Sequence, residues 1–334
     1  MKALVYTDKE TIIFRDEPKP VPAENEALVK ITSVGICGSD MHAYHGHDPR
    51  RVPPLILGHE ACGIVESGQF KGQRVVLNPL LSCGKCHDCL TGRANLCVSR
   101  TAIGLKRPGA FAQYTTIPES NLIVIPEDMP TEFAALAEPA ATAVHAVALA
   151  EKAVHRPLSE NRVLVIGAGS IGLLCALLLK NKGCRNIVLS DTNSLRLDTA
   201  VKAGINNTHN PVSNETLGEN NFDLVIDAVG CAPTRNTAVQ AVSQGGVILH
   251  VGLQDSLGTF DVRKVTLQEI TFIGAFSYTQ TDIIAAVDAL YSGALGDLNW
   301  IEHRNLSEGA AAFDDLNNGR TAAAKIILNC EAAD

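Results

Sequence analysis

Residues 162–180 read RVLVIGAGSIGLLCALLLK, an apolar stretch that three glycines interrupt at positions 167, 169 and 172. A short β-branched run, the pattern G-x-G-x-x-G and an apolar stretch of helical length indicate a strand that turns directly into a helix. Gly167 permits the tight turn, Gly169 lets the backbone approach a pyrophosphate, and Gly172 allows the helix to pack closely. The free amides at the start of that helix favour a phosphate. The segment therefore predicts a dinucleotide-binding β–α unit and not a membrane span.

An acidic residue closes the next predicted strand. Asp191 follows Gly172 by 19 residues, where a carboxylate can accept hydrogen bonds from the ribose hydroxyls of adenosine and repel a 2′-phosphate. Thr192 and Asn193 come next, with no arginine at this point to bind such a phosphate. The pattern predicts NAD as the cofactor in preference to NADP. The alternative interpretation is that Asp191 only caps the following helix.

The pattern of strands and helices divides the chain into two parts. From residue 162 to 276, short β-branched runs alternate with helical patterns, which predicts an α/β fold with a doubly wound parallel sheet of Rossmann type. Residues 1–146 show short strands between Pro and Gly turns, as in a distorted β-barrel. The tail from residue 280 contains a helix and a final strand, which we expect to pack on the first part. We predict a nucleotide-binding domain at 147–279 and a discontinuous domain of 1–146 with 280–334.

Composition argues against several classes of partner. The chain of 334 residues has 28 Lys and Arg against 36 Asp and Glu, a net charge of −8. Because no basic run stands out, nucleic acid is not an expected partner. The N-terminal sequence MKALVYTDKE enters a predicted strand directly, without the pattern of a secretory signal. We expect a cytoplasmic protein that acts on a small molecule and not at a membrane.

Four cysteines within residues 81–98 follow the spacing Cys-x2-Cys-x2-Cys-x7-Cys. Where thiols stay reduced, such a cluster indicates a metal site and not disulfides. Four thiolates can close a tetrahedral shell around zinc and leave no position open to substrate. A ferredoxin-type cluster would place its fourth cysteine after three residues and follow it with proline, but Val98 stands here. We predict a structural zinc lobe, with chemistry elsewhere. Its ligands are Cys83, Cys86, Cys89 and Cys97.

The first part of the chain offers residues for a second metal. These are Cys37 in GICGSDMH, His59 and Glu60 in LGHE, and Glu138 in AEPAATAVH. Cysteine, histidine and carboxylate form the ligand set of a zinc site that keeps a position for water or substrate. Asp40 is a candidate acceptor for the ring N–H of His59. Taken singly, these residues fit a buried thiol, a core histidine and solvated carboxylates, so only the combination indicates a site.

The order GICGSDMH, GHE, the cysteine lobe, PGAFAQY, EP and IGAGSIG resembles the zinc-containing medium-chain alcohol dehydrogenases over essentially the whole chain. The resemblance implies a GroES-like β-barrel catalytic domain beside the Rossmann domain, and two zinc ions per chain. Glu138 followed by Pro139 is similar to the branch of sorbitol, threonine and sugar-acid dehydrogenases. The family would make Cys37, His59 and Glu60 the catalytic zinc ligands, with Glu138 binding zinc directly or through its water.

The same resemblance implies the cofactor contacts and the chemistry. Zinc would lower the pKa of a secondary alcohol whose carbon gives hydride to the nicotinamide. Ser39 and His42 are the nearest candidates to relay the released proton; the alternatives are a turn-capping serine and an exposed histidine. The resemblance implies that NAD contacts Ile171, Asp191 and Arg196. It also implies that the nicotinamide side of the site is lined by Val251, Gly252, Leu253, Ala275, Phe276 and Ser277.

The resemblance says less about the substrate. HAYHG resembles a segment in which the tyrosine, here Tyr44, faces substrate in sugar-acid and polyol enzymes. Arg50 or Arg51 could pair an anionic end of the substrate; a solvated loop is the alternative. Ser277 stands where sorbitol-type members tend to carry an arginine. We expect hydride transfer from a secondary alcohol of a polyol or sugar acid to NAD.

Three alternatives to this function stay open. L-threonine or another secondary alcohol is the alternative substrate within the superfamily. A metal-free reductase of the same superfamily, or a non-enzymatic zinc-ribbon binding protein, is the alternative of another kind.

The strand GAFSYT lies at the expected edge of the nucleotide-binding sheet. Because family members commonly pair such edges across a two-fold axis, we predict a homodimer or a homotetramer.

Overall fold

The computed structural model describes residues 1–213 and 216–331. The strands are β1 Lys2–Asp8, β2 Thr11–Asp16, β3 Glu26–Gly35, β4 Leu55–Ile56, β5 Glu60–Ser67, β6 Arg74–Leu77, β7 Leu80–Leu81, β8 Thr101–Ala102, β9 Tyr114–Pro118, β10 Leu122–Val124, β11 Arg162–Ile166, β12 Asn186–Ser190, β13 Thr208–His209, β14 Phe222–Asp227, β15 Val242–His250, β16 Thr271–Gly274, β17 Ile301–Asn305 and β18 Lys325–Asn329. The helices are α1 Gly38–Tyr44, α2 His87–Leu90, α3 Thr131–Ala134, α4 Ala137–Ala153, α5 Ser170–Asn181, α6 Ser194–Lys202, α7 Ala232–Ala241, α8 Val262–Leu267, α9 Gln280–Tyr291 and α10 Gly309–Asn317.

The glycine-rich turn lies in a six-stranded parallel sheet of order β13-β12-β11-β14-β15-β16. Its first strand, β11, is buried from Val163 to Ile166, as expected for a parallel sheet covered on both faces. Helix α5 begins at Ser170, and Lys182 and Gly183 follow its last residue, with Gly183 at a φ of 86°. Such a glycine commonly ends a helix. The predicted α/β fold class is confirmed.

The first part of the chain forms mainly antiparallel sheets. One sheet has the order β2-β1-β4, and a larger one has the order β10-β6-β5-β3-β18-β17, with β9 also on β3. Strand β18 pairs antiparallel with β3, with Ile327 opposite Gly35. The C-terminal strand therefore completes the sheet that the first strands begin, although residues 332–334 lie outside the described part.

Helix α4 connects the two parts of the fold. It is rich in alanine, and most of its alanines are buried, so α5 and α9 can pack close to it. His145 on α4 contacts Asp282 on α9, with 2.9 Å between Nδ1 and Oδ2. This contact fixes the helix whose first turn carries Glu138. Within residues 1–213 and 216–331, no helix has both the length and the apolar character to cross a membrane.

Candidate functional site

The end of one strand and the start of its neighbour bring together Cys37, His59 and Glu60. Strand β3 ends at Gly35, directly opposite Glu60 in the register with β5. A Cβ atom on Gly35 would lie 2.3 Å from the Glu60 carboxylate, so only glycine leaves room for it. One ligand atom from each of Cys37, His59 and Glu60 lies within 4.8 Å of the others. A thiolate, an imidazole and a carboxylate at this spacing fit a zinc ion.

Asp40 orients the histidine of this group. Cys37 caps helix α1, and the Asp40 carboxylate accepts from the Cys37 amide at 3.1 Å. Its other oxygen lies 3.5 Å from Nδ1 of His59. Burial alone would lower the pKa of His59, but the Asp40 and Cys37 charges raise it well above its usual range. The same negative surroundings would attract a metal cation.

A buried lysine neutralises Glu60, and the sequence patterns did not reveal it. Nζ of Lys325, on β18, lies 2.7 and 2.6 Å from the two Glu60 oxygens and 2.9 Å from the Ile36 carbonyl. Burial alone would lower the pKa of Lys325, but the Glu60 carboxylate raises it. The residues are 265 positions apart, so only the pairing of β18 with β3 could have indicated the contact.

Glu138 lies beside the metal-ligand group. Among the described residues, Glu138 lies outside the group of Cys37, His59 and Glu60, whose ligand atoms are within 4.8 Å of one another. Burial raises the pKa of Glu138 to about 7. The hydroxyl of Tyr278, a residue that is 1% exposed, lies close to this carboxylate. Burial and the Glu138 charge raise the pKa of Tyr278 well above its usual range. The sequence patterns did not reveal Tyr278, because no motif marks it.

The two candidate relay residues differ in their contacts. The Ser39 hydroxyl accepts from Nη2 of Arg51 at 3.2 Å and lies 3.5 Å from Nε2 of His59. His42 is partly buried, and burial together with the nearby His47 and His45 lowers its pKa. The structure therefore brings Ser39 to the metal-ligand group and leaves His42 on the next turn of α1.

The three residues considered for the substrate pocket make contacts within the chain. Tyr44 is buried, with its ring centroid 5.5 Å from that of Phe313 on α10, so it packs against the core, and its role toward substrate stays a prediction. Arg51 is also buried, and its guanidinium contacts Asp48, Ser39 and the Gly104 carbonyl. Arg50 forms a bidentate pair with Asp48. The Arg51 guanidinium is therefore held by the chain itself, whereas the Arg50 side chain is 62% exposed beside Asp48 and stays a candidate for an anionic substrate.

The four-cysteine lobe has the geometry of a thiolate metal site. All four sulfur atoms lie within 4.8 Å of one another, and Cys89 Sγ is 3.9 Å from Cys83 Sγ and 3.5 Å from Cys86 Sγ. A tetrahedron with Zn–S bonds of about 2.3 Å has sulfur atoms about 3.8 Å apart. Backbone amides lower the pKa of Cys83 to about 6, while burial raises that of Cys89 to about 11. The lobe therefore fits zinc. Its remaining member is Cys97, which is buried.

The glycine-rich turn leaves space for a phosphate. Gly167 has a φ of 102°, and a Cβ atom on Gly172 would lie 1.8 Å from the Gly167 carbonyl oxygen, so packing demands both glycines. A Cβ atom on Gly169 would meet no heavy atom within 4 Å. Glycine at this position therefore keeps open a space that the protein itself does not fill, and a pyrophosphate fits that space. Ile171 lies in the first turn of α5.

Asp191 contacts the glycine-rich turn and does not cap the next helix. Its carboxylate accepts from the Ala168 amide at 2.7 Å and from the Asn193 amide at 2.8 Å. Asn193 caps α6 in its place. Within residues 1–213 and 216–331, Nε of Arg196 is buried without a hydrogen-bond partner, as expected for a group that meets a bound ligand.

The predicted nicotinamide-side residues follow the ends of two adjacent strands. Val251 and Gly252, after β15, both donate their amides to the Asp227 carbonyl at 3.0 Å. Leu253 is largely exposed. After β16, Ala275 donates to the His250 carbonyl, Phe276 is partly exposed, and Ser277 has a φ of 51°.

Comparison with known proteins gives the same classification as the geometry. An alcohol dehydrogenase GroES-like domain matches residues 23–127, and a zinc-binding dehydrogenase domain matches residues 170–292. An L-threonine 3-dehydrogenase of Sinorhizobium medicae is 31% identical over 98% of this chain and 98% of its own. The chain belongs to the zinc-containing medium-chain alcohol dehydrogenases.

Solved dehydrogenase structures have the same fold. A short chain alcohol dehydrogenase of Escherichia coli CFT073 in complex with NADH matches with a TM-score of 0.89 and 26% identity, over 98% of this chain and 99% of that one. The L-idonate 5-dehydrogenase of E. coli matches with a TM-score of 0.87 and 27% identity, over 98% and 97%. The predicted family and fold are confirmed, as are zinc and a nicotinamide nucleotide as cofactors of this superfamily. A metal-free or non-enzymatic protein is not supported.

Proposed function

We propose that this alcohol dehydrogenase uses zinc and NAD to oxidise a secondary hydroxyl of a polyol or sugar acid. The observation that carries the proposal is the group of half-buried Cys37 with buried His59 and Glu60, in the same chain as the glycine-rich turn. Zinc bound to that group would act as the Lewis acid that lowers the pKa of a substrate hydroxyl. We assign the NAD-binding domain to residues 147–279 and the catalytic domain to 1–146 with 280–334.

The neighbouring side chains orient the ligands and hold protons. Oδ1 of Asp40 lies 3.5 Å from Nδ1 of His59, where it would accept the Nδ1 proton and direct the Nε2 lone pair toward a metal. Lys325 balances the buried charge of Glu60. Because Arg51 donates to the Ser39 oxygen, the Ser39 hydroxyl keeps its own proton for a hydrogen bond to substrate. We infer that a released proton leaves by way of Ser39 and His42, since the lowered pKa of His42 leaves it neutral near pH 7.

Glu138 is assigned a role through water. Its carboxylate is buried beside His59 and Glu60 but outside the close group of ligand atoms in the described chain. From outside the close ligand group, the Glu138 carboxylate would reach a bound metal through a water, whereas direct binding would require the side chain to move. This polar environment suits a substrate that carries hydroxyls on neighbouring carbons.

Metal content tests the proposal directly. We expect two zinc ions per chain, one of which resists mild chelation because four thiolates hold it. Cys37→Ser should remove the labile ion alone, and Cys97→Ser should remove the resistant one. A count of one zinc in the unmodified protein would contradict the catalytic site.

L-threonine is the second candidate substrate. It is favoured by the 31% identity to an L-threonine 3-dehydrogenase, whereas the likeness to L-idonate 5-dehydrogenase favours a sugar acid. A panel of polyols, aldonates, threonine and ethanol, followed by NADH absorbance, separates them. Activity on threonine alone would replace the sugar-acid assignment, and a preference for ethanol or longer primary alcohols would overturn both.

We also infer a cytoplasmic location, because the thiolate lobe needs a reducing compartment.

A further inference from the structure

A short loop of the nucleotide-binding half lies between the four-cysteine lobe and the candidate catalytic site. Residues 275–278 follow strand β16. The Phe276 carbonyl accepts from Nδ2 of Asn95, in the cysteine lobe, at 2.9 Å. The Arg100 guanidinium lies over the Phe276 ring, 4.7 Å from its centroid. Asn95 of the lobe and Arg100, two residues after it, therefore hold one side of this loop.

The cysteine lobe fixes the position of Asn95. Asn95 is 3% exposed and lies in the 3₁₀ turn Ala94–Leu96, two residues before Cys97. The Cys97 amide donates to the Ala94 carbonyl at 3.1 Å, so a metal that holds Cys97 also holds this turn. Asn95 and Phe276 are 181 positions apart. Their hydrogen bond is thus a tertiary contact between the lobe and the nucleotide-binding sheet.

The other end of the loop contacts the candidate catalytic site. Tyr278 is buried beside Glu138, and its hydroxyl has no hydrogen-bond partner among the described residues. Between the two contacts, Ser277 has a φ of 51°, a conformation that residues other than glycine rarely adopt. Such a conformation persists only where its surroundings hold it. The hydrogen bond to the Phe276 carbonyl and the burial of Tyr278 flank Ser277 and supply that constraint.

We propose that Asn95 is a positioning residue, which couples the cysteine lobe to the nicotinamide-side loop through the Phe276 carbonyl. Loss of this hydrogen bond releases residues 275–278, so the cofactor binds less tightly and Tyr278 is less firmly held beside Glu138. The proposal rests on the proposed function, because it takes residues 275–277 as the nicotinamide contact. The zinc lobe then has a role in cofactor binding in addition to folding.

The test compares two isosteric substitutions. Asn95→Asp removes the donor while it keeps the shape of the side chain. Asn161→Asp is the matched control, because Asn161 is also 3% exposed and also donates Nδ2 to a carbonyl, that of Pro157 at 2.7 Å. For both variants and the unmodified protein, zinc content, NADH affinity by fluorescence and deuterium uptake of residues 275–278 are measured. Both variants bury a carboxylate, so a general loss of stability affects both.

We expect Asn95→Asp to weaken NADH binding by about tenfold, as the loss of one buried hydrogen bond predicts, and to raise deuterium uptake at 275–278. Zinc content should stay at two per chain, and Asn161→Asp should leave the NADH affinity unchanged. A variant that is only less stable would lose active fraction at unchanged affinity. Equal affinity and equal uptake in Asn95→Asp and the control would overturn the proposal.

A second variant covers the case in which Asn95→Asp does not fold. Arg100→Gln removes the charge over the Phe276 ring and should weaken NADH binding by about threefold, since an exposed cation–π contact is weak. Unchanged affinity and uptake in Arg100→Gln would then count against the coupling. If the unmodified protein bound no NADH, the proposed function would fail. Deuterium uptake in the same variants would still decide whether Asn95 holds the loop.

Discussion

Acidic side chains are concentrated around the candidate catalytic site. Cys37, Asp40, Glu60 and Glu138 surround His59, and Glu60 and Asp40 are completely buried. Buried charges are costly unless they are paired or bind a metal. Lys325 pairs with Glu60, but no second lysine or arginine reaches Cys37 or Glu138 in the hydrogen bonds and ion pairs of the described residues. A divalent cation would supply the missing positive charge.

The Lys325–Glu60 pair leads to a prediction about stability. Lys325→Met removes the positive partner of a buried carboxylate, and we expect the free energy of unfolding to fall by about 3 to 5 kcal/mol in urea denaturation. Lys180→Met is the control, because the exposed Lys180 donates to the Gly204 carbonyl and pairs with no carboxylate in the described part of the chain. Lys325→Arg should recover part of the loss. Equal stability of Lys325→Met and Lys180→Met would show that the pair is not needed to balance Glu60.

Asp191 leads to a prediction about cofactor choice. Its carboxylate already accepts from the Ala168 amide, at the turn where the pyrophosphate is expected. Asp191→Ser removes both an acceptor for the ribose hydroxyls and a charge that repels a 2′-phosphate. We expect the preference for NAD over NADP, measured as the ratio of kcat/KM values, to narrow by about tenfold to a hundredfold. Asp198→Ser, at an exposed acid of α6, should leave the ratio unchanged. Equal use of both cofactors by the unmodified protein would contradict the role of Asp191.

Local and distant contacts explain which residues could be predicted. The glycines of the turn act within six residues of one another, so their spacing alone predicts the strand, the helix and the phosphate space. Tyr44 meets Phe313 of α10, and Lys325 meets Glu60 only after β18 joins β3. Neither contact leaves a periodic pattern or a motif near the residue. The same limit applies to Tyr278, which reaches Glu138 through the packing of α9 on α4.

At the scale of helices, one carboxylate joins α4 to α9. The Asp282 carboxylate accepts hydrogen bonds from the amide and the hydroxyl of Thr279, at 2.8 and 2.6 Å, and these bonds belong to the cap of α9. The same carboxylate contacts His145 on α4. Burial alone would raise the pKa of Asp282, but the hydrogen bonds from His145 and Thr279 lower it. A carboxyl group whose pKa is lower in the folded state stabilises the fold at pH values above its unfolded-state pKa. This stabilisation is lost as the pH falls through the folded-state pKa.

Asp282→Asn should therefore destabilise the protein in a pH-dependent way. We expect a loss of about 1 to 2 kcal/mol at pH 7, since the substitution removes the carboxylate that completes the capping box with Thr279 and contacts His145. The difference from the unmodified protein should shrink as the pH falls below about 4, because the unmodified carboxyl then binds a proton as well. Asp288→Asn, at an exposed position of α9, supplies the control. A pH-independent difference in urea midpoints would count against the ionic contribution.

At the scale of the whole molecule, strand β16 is a free edge. It is the last strand of the parallel sheet, and Thr271, Phe272 and Gly274 are exposed. An exposed strand edge can pair with another chain. The segment before this strand also exposes four large apolar side chains, those of Leu253, Leu257, Val262 and Leu267. Free backbone groups and apolar surface together favour a second copy of the chain as the partner.

We accordingly propose that two chains pair their β16 strands across a two-fold axis, so that the protein is a homodimer or a tetramer built from dimers. Phe272→Lys places a charge on this edge, and charged side chains on an edge strand oppose pairing. In light scattering at micromolar concentration, we expect the dimer of the unmodified protein to become a monomer. Val124→Lys is the control, because Val124 is similarly exposed on β10, the edge of the other large sheet. A monomeric unmodified protein would refute the assembly. Dissociation by Val124→Lys in place of Phe272→Lys would move the interface to the catalytic domain.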